Sequence, residues 1–449
     1  MLVGAGGPDK IAVFAIGSGQ VGTGGAGGSP PREKTVNTPP GGAALAAFRL
    51  DDLEIVEAGD PGGMLRQVAS SAAQVRTALR ACAEADMSAL GPDTRPRAIV
   101  VAGSGGAGGS AFACDALEAI CGLGSPVQVT GVSGYQLPGW IGAADLVIAV
   151  SRSGHTAEAL ALASEAARRG CDIVGVSATD SPLRELVAQA RGTFIPVSAE
   201  GPARAMPWAL TVPLFVAATR IGVARIDDAA YEAAATAMED VSFQCRPSSE
   251  SFVNPAKSLA LDLVGRLPVI WGGSPVAAAA ARRFASQLAA NAKYPSLVGL
   301  LPEAGHDQVA TFDGPYAPTP EPAFPAAEDF GGPGFGGTGF SEDDLGFSED
   351  DGLDGLSGDD ESLRLVVLAD PAGEHPTVGR TRAAAASLAG LRGIDVSDIT
   401  MDSSGDPLRR LAATVQLLDY TSVYLGIASG IDPLAIAAIK DLRDLTGSE

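Results

Sequence analysis

The chain has 449 residues, a hydrophobic content of 46% and a formal net charge of −22. This length allows two or three domains, and the apolar content is enough for a sizeable core. Residues 321–361 carry thirteen Asp or Glu and no Lys or Arg, and no basic face is found elsewhere, which argues against a nucleic-acid partner.

The composition also excludes several other classes of protein. No run of about 18 apolar residues is free of charge and proline, so the sequence predicts no membrane span. The five cysteines form no CxxC pair, which predicts free thiols in a reducing cytoplasm. With three histidines and scattered cysteines, no metal is expected, and no other cofactor is indicated.

The first half of the chain predicts one α/β domain. Residues 1–48 are predicted to be a disordered extension, and residues 62–85 have the apolar spacing of a helix. Short apolar runs then alternate with helical segments, which is typical of a parallel sheet covered on both faces. The predicted strands are Arg97–Gly103, Val127–Val132, Asp145–Val150, Asp172–Ser177 and Thr193–Val197, and the helices are Ser110–Cys121, Thr156–Arg169 and Pro182–Ala190.

The second half repeats this pattern after a helical stretch over residues 207–264. The predicted strands are Leu267–Trp271 and Leu363–Leu368, and the helices are Pro275–Asn291, Pro376–Leu391, 407–417 and 433–445. We therefore predict an α/β protein of two doubly wound domains, residues 62–225 and residues 226–449.

Residues 315–360 interrupt the second domain. They are rich in Pro, Gly, Asp and Glu and contain two echoing stretches, Gly339–Asp344 and Gly346–Asp351. Too little apolar surface is present to offset the entropy of ordering, which predicts a disordered acidic insert. The alternative is a docking segment for a protein partner, with phenylalanines as anchors among the charges.

The segment Ser151-Arg152-Ser153-Gly154-His155-Thr156 is the strongest functional signal. It follows a predicted strand and opens a helix, the usual place for a ligand in an open parallel sheet. A helix N-terminus favours an anion, and Ser151, Ser153 and Thr156 add hydroxyl donors. Gly154 allows a close turn. The hydroxyls could instead cap the helix.

The spacing S-x-S-G-x-T after such a strand resembles the phosphosugar loop of sugar-isomerase (SIS) domains. The resemblance implies two SIS-type domains, with Ser151, Ser153, Gly154 and Thr156 holding the phosphate of a sugar. SIS domains occur in sugar-phosphate isomerases and in regulators that sense such sugars.

Gly103–Gly108 formally matches GxGxxG, the fingerprint of a dinucleotide site. Such a site needs an acidic residue near the end of the second strand, and the predicted strand Val127–Val132 runs on without Asp or Glu. A phosphosugar site fits better, because a glycine turn at Gly105 and Gly106, beside the Ser/Thr loop, leaves room for the sugar. A purely structural turn is the third alternative.

Further along, Asn291-Ala292-Lys293 and Leu301–His306 resemble the N-E-N-A-K and L-P-E-A-H-H segments of the bifunctional phosphoglucose/phosphomannose isomerases. Gly430–Leu434 is similar to the G-V-N-P-L of that family. The resemblance implies aldose–ketose interconversion of hexose 6-phosphates, His306 as the ring-opening residue, and a homodimer.

Several positions depart from that family. Its proton-moving glutamate falls on Ala290, a lysine falls on Tyr424, and a glycine-turn serine falls on Ala107. The arginine expected to contact the sugar is displaced by one place, to Arg204. Glu303 is the nearest substitute for the missing base. The sequence therefore leaves two hypotheses: an isomerase, or a catalytically inactive protein that senses a sugar phosphate or binds a partner.

Overall fold

The structure, a computed structural model, describes residues 16–18, 42–91, 93–103, 110–122, 124–198, 200–318 and 362–446. Two five-stranded sheets carry the fold, one for each half of the chain. Helices pack between and around the sheets, as the predicted α/β class requires.

The N-terminal segment contributes one short strand and four helices before the first sheet. The strand β1 (Ile16–Ser18) pairs antiparallel with a strand of the second sheet, with Ile16 opposite Ile399. The helices are α1 (Gly42–Asp51), α2 (Leu53–Gly59), α3 (Met64–Ala69) and α4 (Ser71–Glu84).

The first sheet is wholly parallel and alternates with helices along the chain. Its elements are β2 (Ala98–Ala102), α5 (Ser110–Cys121), β3 (Gln128–Val132), β4 (Leu146–Val150), α6 (Ala157–Arg168), β5 (Asp172–Ser177), α7 (Pro182–Gln189) and β6 (Thr193–Pro196). The strand order is β3-β2-β4-β5-β6. β2 and β4 are buried along their whole length, as expected for central strands covered on both faces.

Three helices link the sheets: α8 (Pro207–Arg220), α9 (Asp228–Gln244) and α10 (Pro255–Leu263). The second sheet follows with β7 (Leu267–Gly272), α11 (Pro275–Gln287), β8 (Leu297–Leu300), β9 (Leu363–Ala369), α12 (Pro376–Leu391), β10 (Asp395–Thr400), α13 (Pro407–Ala428) and α14 (Ala437–Thr446). Its order is β1-β10-β9-β7-β8, and all pairs except β1–β10 are parallel.

Local sequence explains where many of these helices begin. In five of them a capping side chain is followed by proline, whose fixed φ and missing N–H suit the first helical position. Ser181, Asn254, Ser274, His375 and Asp406 each accept a hydrogen bond from the first turn of α7, α10, α11, α12 and α13, respectively.

The largest hydrophobic cluster lies between the sheets and includes residues of α4, α8, α9, α11 and α13. A smaller cluster covers the outer face of the first sheet, and another covers the outer face of the second. All five cysteines are free, and all but Cys121 are buried, as the sequence predicted. In the described part of the chain, no helix is both long and apolar enough to cross a membrane.

The structure corrects several predicted boundaries. Residues 42–48, assigned to the disordered extension, belong to α1, because Arg49 Nη1 donates to Ala428 O at 2.8 Å and anchors that helix on α13. Residues 315–318, assigned to the acidic insert, return to the second sheet, where Tyr316 O accepts from Leu363 N at 2.8 Å. Residues 319–361 lie outside the described residues.

The predicted secondary structure is wrong at three further places. The stretch 207–264, predicted to be wholly helical, contains three helices, and non-helical segments at 221–227 and 245–254 separate them. The helix predicted over 407–417 continues to Ala428, and the strands β8 and β10 were not predicted. The predicted domain boundary at residue 226 falls in the connection between α8 and α9.

Candidate functional site

The Ser/Thr loop joins β4 to α6 at the carboxyl end of the first sheet. Ser151 N donates to Val176 O of the neighbouring strand β5 at 3.0 Å, so the loop starts on the sheet itself. Thr156 is the residue before the first turn of α6. The predicted strand–loop–helix arrangement is therefore present.

Hydrogen bonds within the loop fix the position of its hydroxyls. Ser151 Oγ lies 2.7 Å from Thr156 Oγ1 and accepts from Gly154 N at 3.0 Å. Ser153 Oγ accepts from His155 N at 3.3 Å and belongs to a partly exposed residue. Buried Ser151 thus organises the turn, while the Ser153 hydroxyl remains accessible.

Thr156 does not cap α6, because its side chain accepts no hydrogen bond from the first turn. The helix-cap alternative is therefore wrong at this residue. Unlike α7, which Ser181 caps through Arg184 N at 3.3 Å, α6 begins without a side-chain cap. Its first N–H groups carry the partial positive charge of a helix N-terminus.

Gly154 is required by the packing of the loop. Its φ is +73°, and a Cβ there would lie 2.4 Å from Ser181 Cβ and 3.0 Å from Ser177 Oγ. Ser177 Oγ and Ser181 Oγ are themselves 3.0 Å apart. The glycine lets the loop approach these two serines at the end of β5.

The loop lies at the point where the strand order of the first sheet reverses. β2 is flanked by β3 on one side and by β4 on the other, and crevices at such points are the usual ligand sites of open α/β sheets. Gly103, directly after β2, approaches β4 so closely that a Cβ would lie 2.7 Å from Val150 O. Gly105, Gly106 and Ala107 lie outside the described residues.

Arg204 lies at the junction of the two halves of the chain. It sits in a 3-10 turn, Ala203–Ala205, and is 8% exposed. Its Nε donates to Asn291 Oδ1 at 3.0 Å, and its Nη2 donates to Pro433 O at 2.9 Å. Burial lowers the pKa of Arg204, against the opposing charge of Asp432.

The segment that contains Ala290 is a π-helical turn, Leu288–Ala292, at the end of α11. Ala290 is 9% exposed and offers no carboxylate. Lys293 follows the turn with a φ of 62°, and its Nζ donates to Ala290 O at 2.6 Å. Burial lowers the pKa of Lys293 and nearby Arg204 lowers it further, whereas Asp432 raises it.

The remaining residues that the sequence analysis singled out are Glu303, His306 and Tyr424. Glu303 and His306 are exposed on a 3-10 turn after β8, and His306 N donates to Glu303 O at 2.7 Å. No described hydrogen bond connects either residue to the Ser/Thr loop or to Arg204. Tyr424 is fully buried, its OH donates to Cys245 O at 2.5 Å, and burial raises the pKa of its hydroxyl.

The sequence did not predict that Arg204, Lys293 and Asp432 meet. These residues lie far apart in the chain and come together only where the two halves pack against each other. The two motifs Asn291–Lys293 and Gly430–Leu434 marked these segments, but they did not show that the segments face each other.

Comparison with known proteins matches each half of the chain to a domain family. Residues 97–218 match the SIS domain, and residues 252–445 match the bacterial phospho-glucose isomerase C-terminal SIS domain. The bifunctional phosphoglucose/phosphomannose isomerase of Caldicellulosiruptor bescii is 27% identical over 210 residues, which cover 47% of this chain and 62% of that protein. The chain thus spans less than two thirds of the length of this relative.

Solved structures share the fold at low sequence identity. A hypothetical protein from Thermus thermophilus superposes with a TM-score of 0.58 at 15% identity, covering 90% of this chain and 94% of that chain. Tagatose-6-phosphate ketose/aldose isomerase from Escherichia coli gives 0.54 at 13% identity, covering 88% and 97%. At such identities these similarities concern the fold alone.

The fold and the two domain matches define the class: the chain is an α/β protein in which residues 97–218 and 252–445 resemble SIS domains. It is similar to the bifunctional phosphoglucose/phosphomannose isomerases of Caldicellulosiruptor bescii and Aquifex aeolicus, at 27% and 28% identity.

Proposed function

We propose that the chain binds a phosphorylated hexose on the loop Ser151–Thr156 and interconverts fructose 6-phosphate with glucose 6-phosphate or mannose 6-phosphate. The observation that carries this proposal is the Ser/Thr loop itself. It lies at the switch point of the first sheet, and it opens a helix whose first turn has no side-chain cap.

Phosphate binding there needs neither a metal nor a lysine. The N-terminal N–H groups of α6 offer donors and a partial positive charge to an anion. The accessible hydroxyl of Ser153 adds a donor, and Thr156 Oγ1 lies beside the first turn of the helix. Gly154 and Ser151 would hold the loop in shape around the phosphate, and Gly105 and Gly106 would border the sugar.

The proposed reaction requires ring opening and movement of a proton between C1 and C2. His306 would open the ring, and Arg204 would lie near the enediolate oxygens, where a cation stabilises developing charge. No carboxylate stands at Ala290 to move the proton. Glu303 is the proposed substitute, supported by its position on the same exposed turn as His306.

The second candidate function is a catalytically inactive sensor of sugar phosphates, or a protein that binds a partner enzyme. Ala290 favours it, because a general acid or base contributes about 10²- to 10⁴-fold to a rate. The acidic insert predicted over residues 315–360 would then serve as a docking segment for the partner.

The same proposal includes a homodimer in the cytoplasm. His306 is exposed and no described hydrogen bond joins it to the Ser/Thr loop; in the proposed dimer, the His306 of a second copy would complete the site at the loop. Five free thiols suit a reducing compartment.

The test is a coupled assay with fructose 6-phosphate and mannose 6-phosphate, together with thermal-shift binding of both sugars. The variants are Ser153→Ala, His306→Ala and, as a control on the surface of α12, Ser387→Ala. An isomerase loses turnover with the first two changes and keeps it with the third. A mixture of the Ser153→Ala and His306→Ala proteins recovers part of the activity if two chains share one site.

Stabilisation by the sugars without turnover, lost in Ser153→Ala, would establish the sensor instead. If neither sugar stabilises the wild-type protein, the phosphate-binding role of the loop is wrong and both functions fail with it.

A further inference from the structure

The Ser/Thr loop contains a histidine to which the proposed function gives no role. His155 lies between Gly154 and Thr156, just before the start of α6, and it is exposed. In the part of the chain that the structure describes, no carboxylate forms a salt bridge with it. Its charge state is therefore open to influence from a bound ligand.

Two hydrogen bonds hold His155 against Ser153. The ring nitrogen Nδ1 lies 3.0 Å from Ser153 O, and the backbone N of His155 donates to Ser153 Oγ at 3.3 Å. The imidazole is thus tied to the residue whose accessible hydroxyl is proposed to meet the phosphate. Although it is exposed, the ring is held beside the proposed position of the ligand.

The partner of Nδ1 determines which nitrogen of the neutral ring carries the hydrogen. A backbone carbonyl can only accept a hydrogen bond, so Nδ1 of His155 must donate to Ser153 O. In the neutral ring the hydrogen is then on Nδ1, and Nε2 has only a lone pair. Nε2 can donate to a phosphate oxygen only after the ring has gained a proton.

His375 has the opposite arrangement at the start of α12. Its Nδ1 accepts from Thr377 N at 3.2 Å, so the hydrogen of its neutral ring is on Nε2. Both histidines are exposed, but only in His155 does the other ring nitrogen need a proton before it can donate. His375 therefore provides a matched control.

The elements around the His155 ring carry charges of both signs. The loop contains Arg152, the first turn of α6 contains Glu158, and the connection from β5 into α7, which packs on the loop, contains Asp180 and Arg184. Two positive and two negative charges cancel formally, so a bound phosphate would add negative charge that these groups do not neutralise. A nearby anion favours the charged form of an imidazole.

We propose, on the basis of the function proposed above, that His155 takes up a proton when a sugar phosphate binds to the loop and then donates from Nε2 to a phosphate oxygen. The proton comes from the solvent and returns to it when the ligand leaves. His155 thereby adds a charged donor to a loop of N–H groups and hydroxyls. It makes the site selective for a phosphate dianion, and the site weakens at a pH where the imidazole stays neutral.

Isothermal titration calorimetry of the full chain with fructose 6-phosphate measures this proton uptake. Binding heats at pH 7 in two buffers of different ionisation enthalpy give the number of protons bound. Dissociation constants are then compared between pH 7 and pH 9, because a phosphate ester loses its second proton at about pH 6 and stays a dianion above it. The variant is His155→Asn, whose amide can still donate to Ser153 O but takes up no proton. His375→Asn is the control.

We expect the wild-type protein to take up protons on binding. Its dissociation constant should rise about tenfold between pH 7 and pH 9, as for the loss of one charged hydrogen bond. His155→Asn should bind at pH 7 about as weakly as the wild-type protein does at pH 9, without proton uptake and without dependence on pH. A purely structural role of the ring would not change the proton count. His375→Asn should behave like the wild-type protein.

Equal dissociation constants at both pH values without proton uptake would overturn the role of His155 and leave the proposed phosphate loop intact. The same holds if His155→Asn keeps the pH dependence of the wild-type protein. If the wild-type protein binds fructose 6-phosphate at neither pH, the phosphate-binding role of the loop is wrong, and the role of His155 fails with it.

Discussion

Strands β2–β5 of the first sheet and β7–β10 of the second share one topology, but the two sheets place a buried aspartate at opposite ends. Of these strands, β3 and β8 pair with one side of β2 and β7, respectively. The third strand of each set, β4 or β9, pairs with the other side, and the fourth, β5 or β10, lies beyond the third. In the first sheet, Asp145 directly precedes the third strand, β4. In the second sheet, Asp370 directly follows the third strand, β9.

The two aspartates therefore have different surroundings. Asp145 pairs with Arg97 at 2.6 Å at the amino ends of β4 and β2, far from the ligand end of the sheet. Asp370, fully buried, accepts from Ser274 Oγ at 2.7 Å and pairs with Arg410 at 2.9 Å at the carboxyl ends of β7 and β9.

The comparison shows that one topology carries different side chains at the carboxyl ends of its strands: a carboxylate in the second sheet and hydroxyls in the first. A phosphate at the carboxyl ends of β7 and β9 would meet the carboxylate of Asp370, whereas one at the end of β4 meets hydroxyls and a helix N-terminus. The second sheet therefore neutralises its own crevice with an internal ion pair.

The largest loss of stability is expected from Asp370→Ala, which removes the buried ion pair with Arg410 in the second sheet. The change leaves Arg410 buried without a counter-charge, and breaking such a pair costs about 3–5 kcal/mol. Urea unfolding at neutral pH measures the loss in the free energy of unfolding.

Asp313→Ala is the matched control for that change, because Asp313 pairs with Arg392 at 2.5 Å on the surface. An exposed pair contributes about 0–1 kcal/mol. Equal losses for the two variants would show that the Asp370 pair is not specially important, and would undermine the comparison of the two crevices.

Gly154→Ala should have the next largest effect, and it acts on the open crevice. The new Cβ would lie 2.4 Å from Ser181 Cβ, on a backbone with a φ of +73°. We expect a loss of about 1–3 kcal/mol in the free energy of unfolding, together with weaker binding of sugar phosphates.

Thermal-shift measurements with and without fructose 6-phosphate separate the two effects of Gly154→Ala. Gly139→Ala is the control, since an added Cβ there meets nothing within 4 Å. Unchanged stability and binding in Gly154→Ala would mean that the loop shape is not held by its contact with Ser177 and Ser181.

The sequence predicted the parts of the fold that depend on local patterns. The continuous apolar runs of β2 and β4 are signals of neighbouring residues, and they predicted these two strands within a few residues. β8 is an apolar run of only four residues, and β10 alternates polar and apolar residues, so neither has the long apolar run of a fully buried strand. Their place depends on pairing with distant strands.

The candidate site also has a part that local sequence predicts and a part that depends on distant residues. The Ser/Thr loop was predictable because all its groups lie within six residues. The meeting of Arg204 with Asn291 and Lys293 was not, because it depends on how the two halves pack. The spacing of residues also could not show that α1 belongs to the folded part of the chain. The atoms that anchor it, Ala428 O and Lys257 Nζ, belong to the second half.

The smallest effect, and a dependence on pH, is expected from Asp145→Asn at the amino end of the first sheet. Burial raises the pKa of the Asp145 carboxyl, but hydrogen bonds from Arg97, Gly142 N and Ala98 N together outweigh burial. They hold its pKa below the ordinary value of 3.8. The folded chain therefore binds fewer protons at this carboxyl than the unfolded chain does.

A lowered pKa stabilises the folded state above the unfolded value and loses that contribution as the pH falls through the folded value. The wild-type protein should thus be more stable than Asp145→Asn at pH 6, and the difference should shrink below pH 3.8. Urea unfolding of both proteins at several pH values, from pH 6 to below pH 3.8, measures the difference in the free energy of unfolding. A difference that does not change with pH would mean that the charge of Asp145 is not what stabilises this end, and that the two sheets do not differ in the way their buried aspartates suggest.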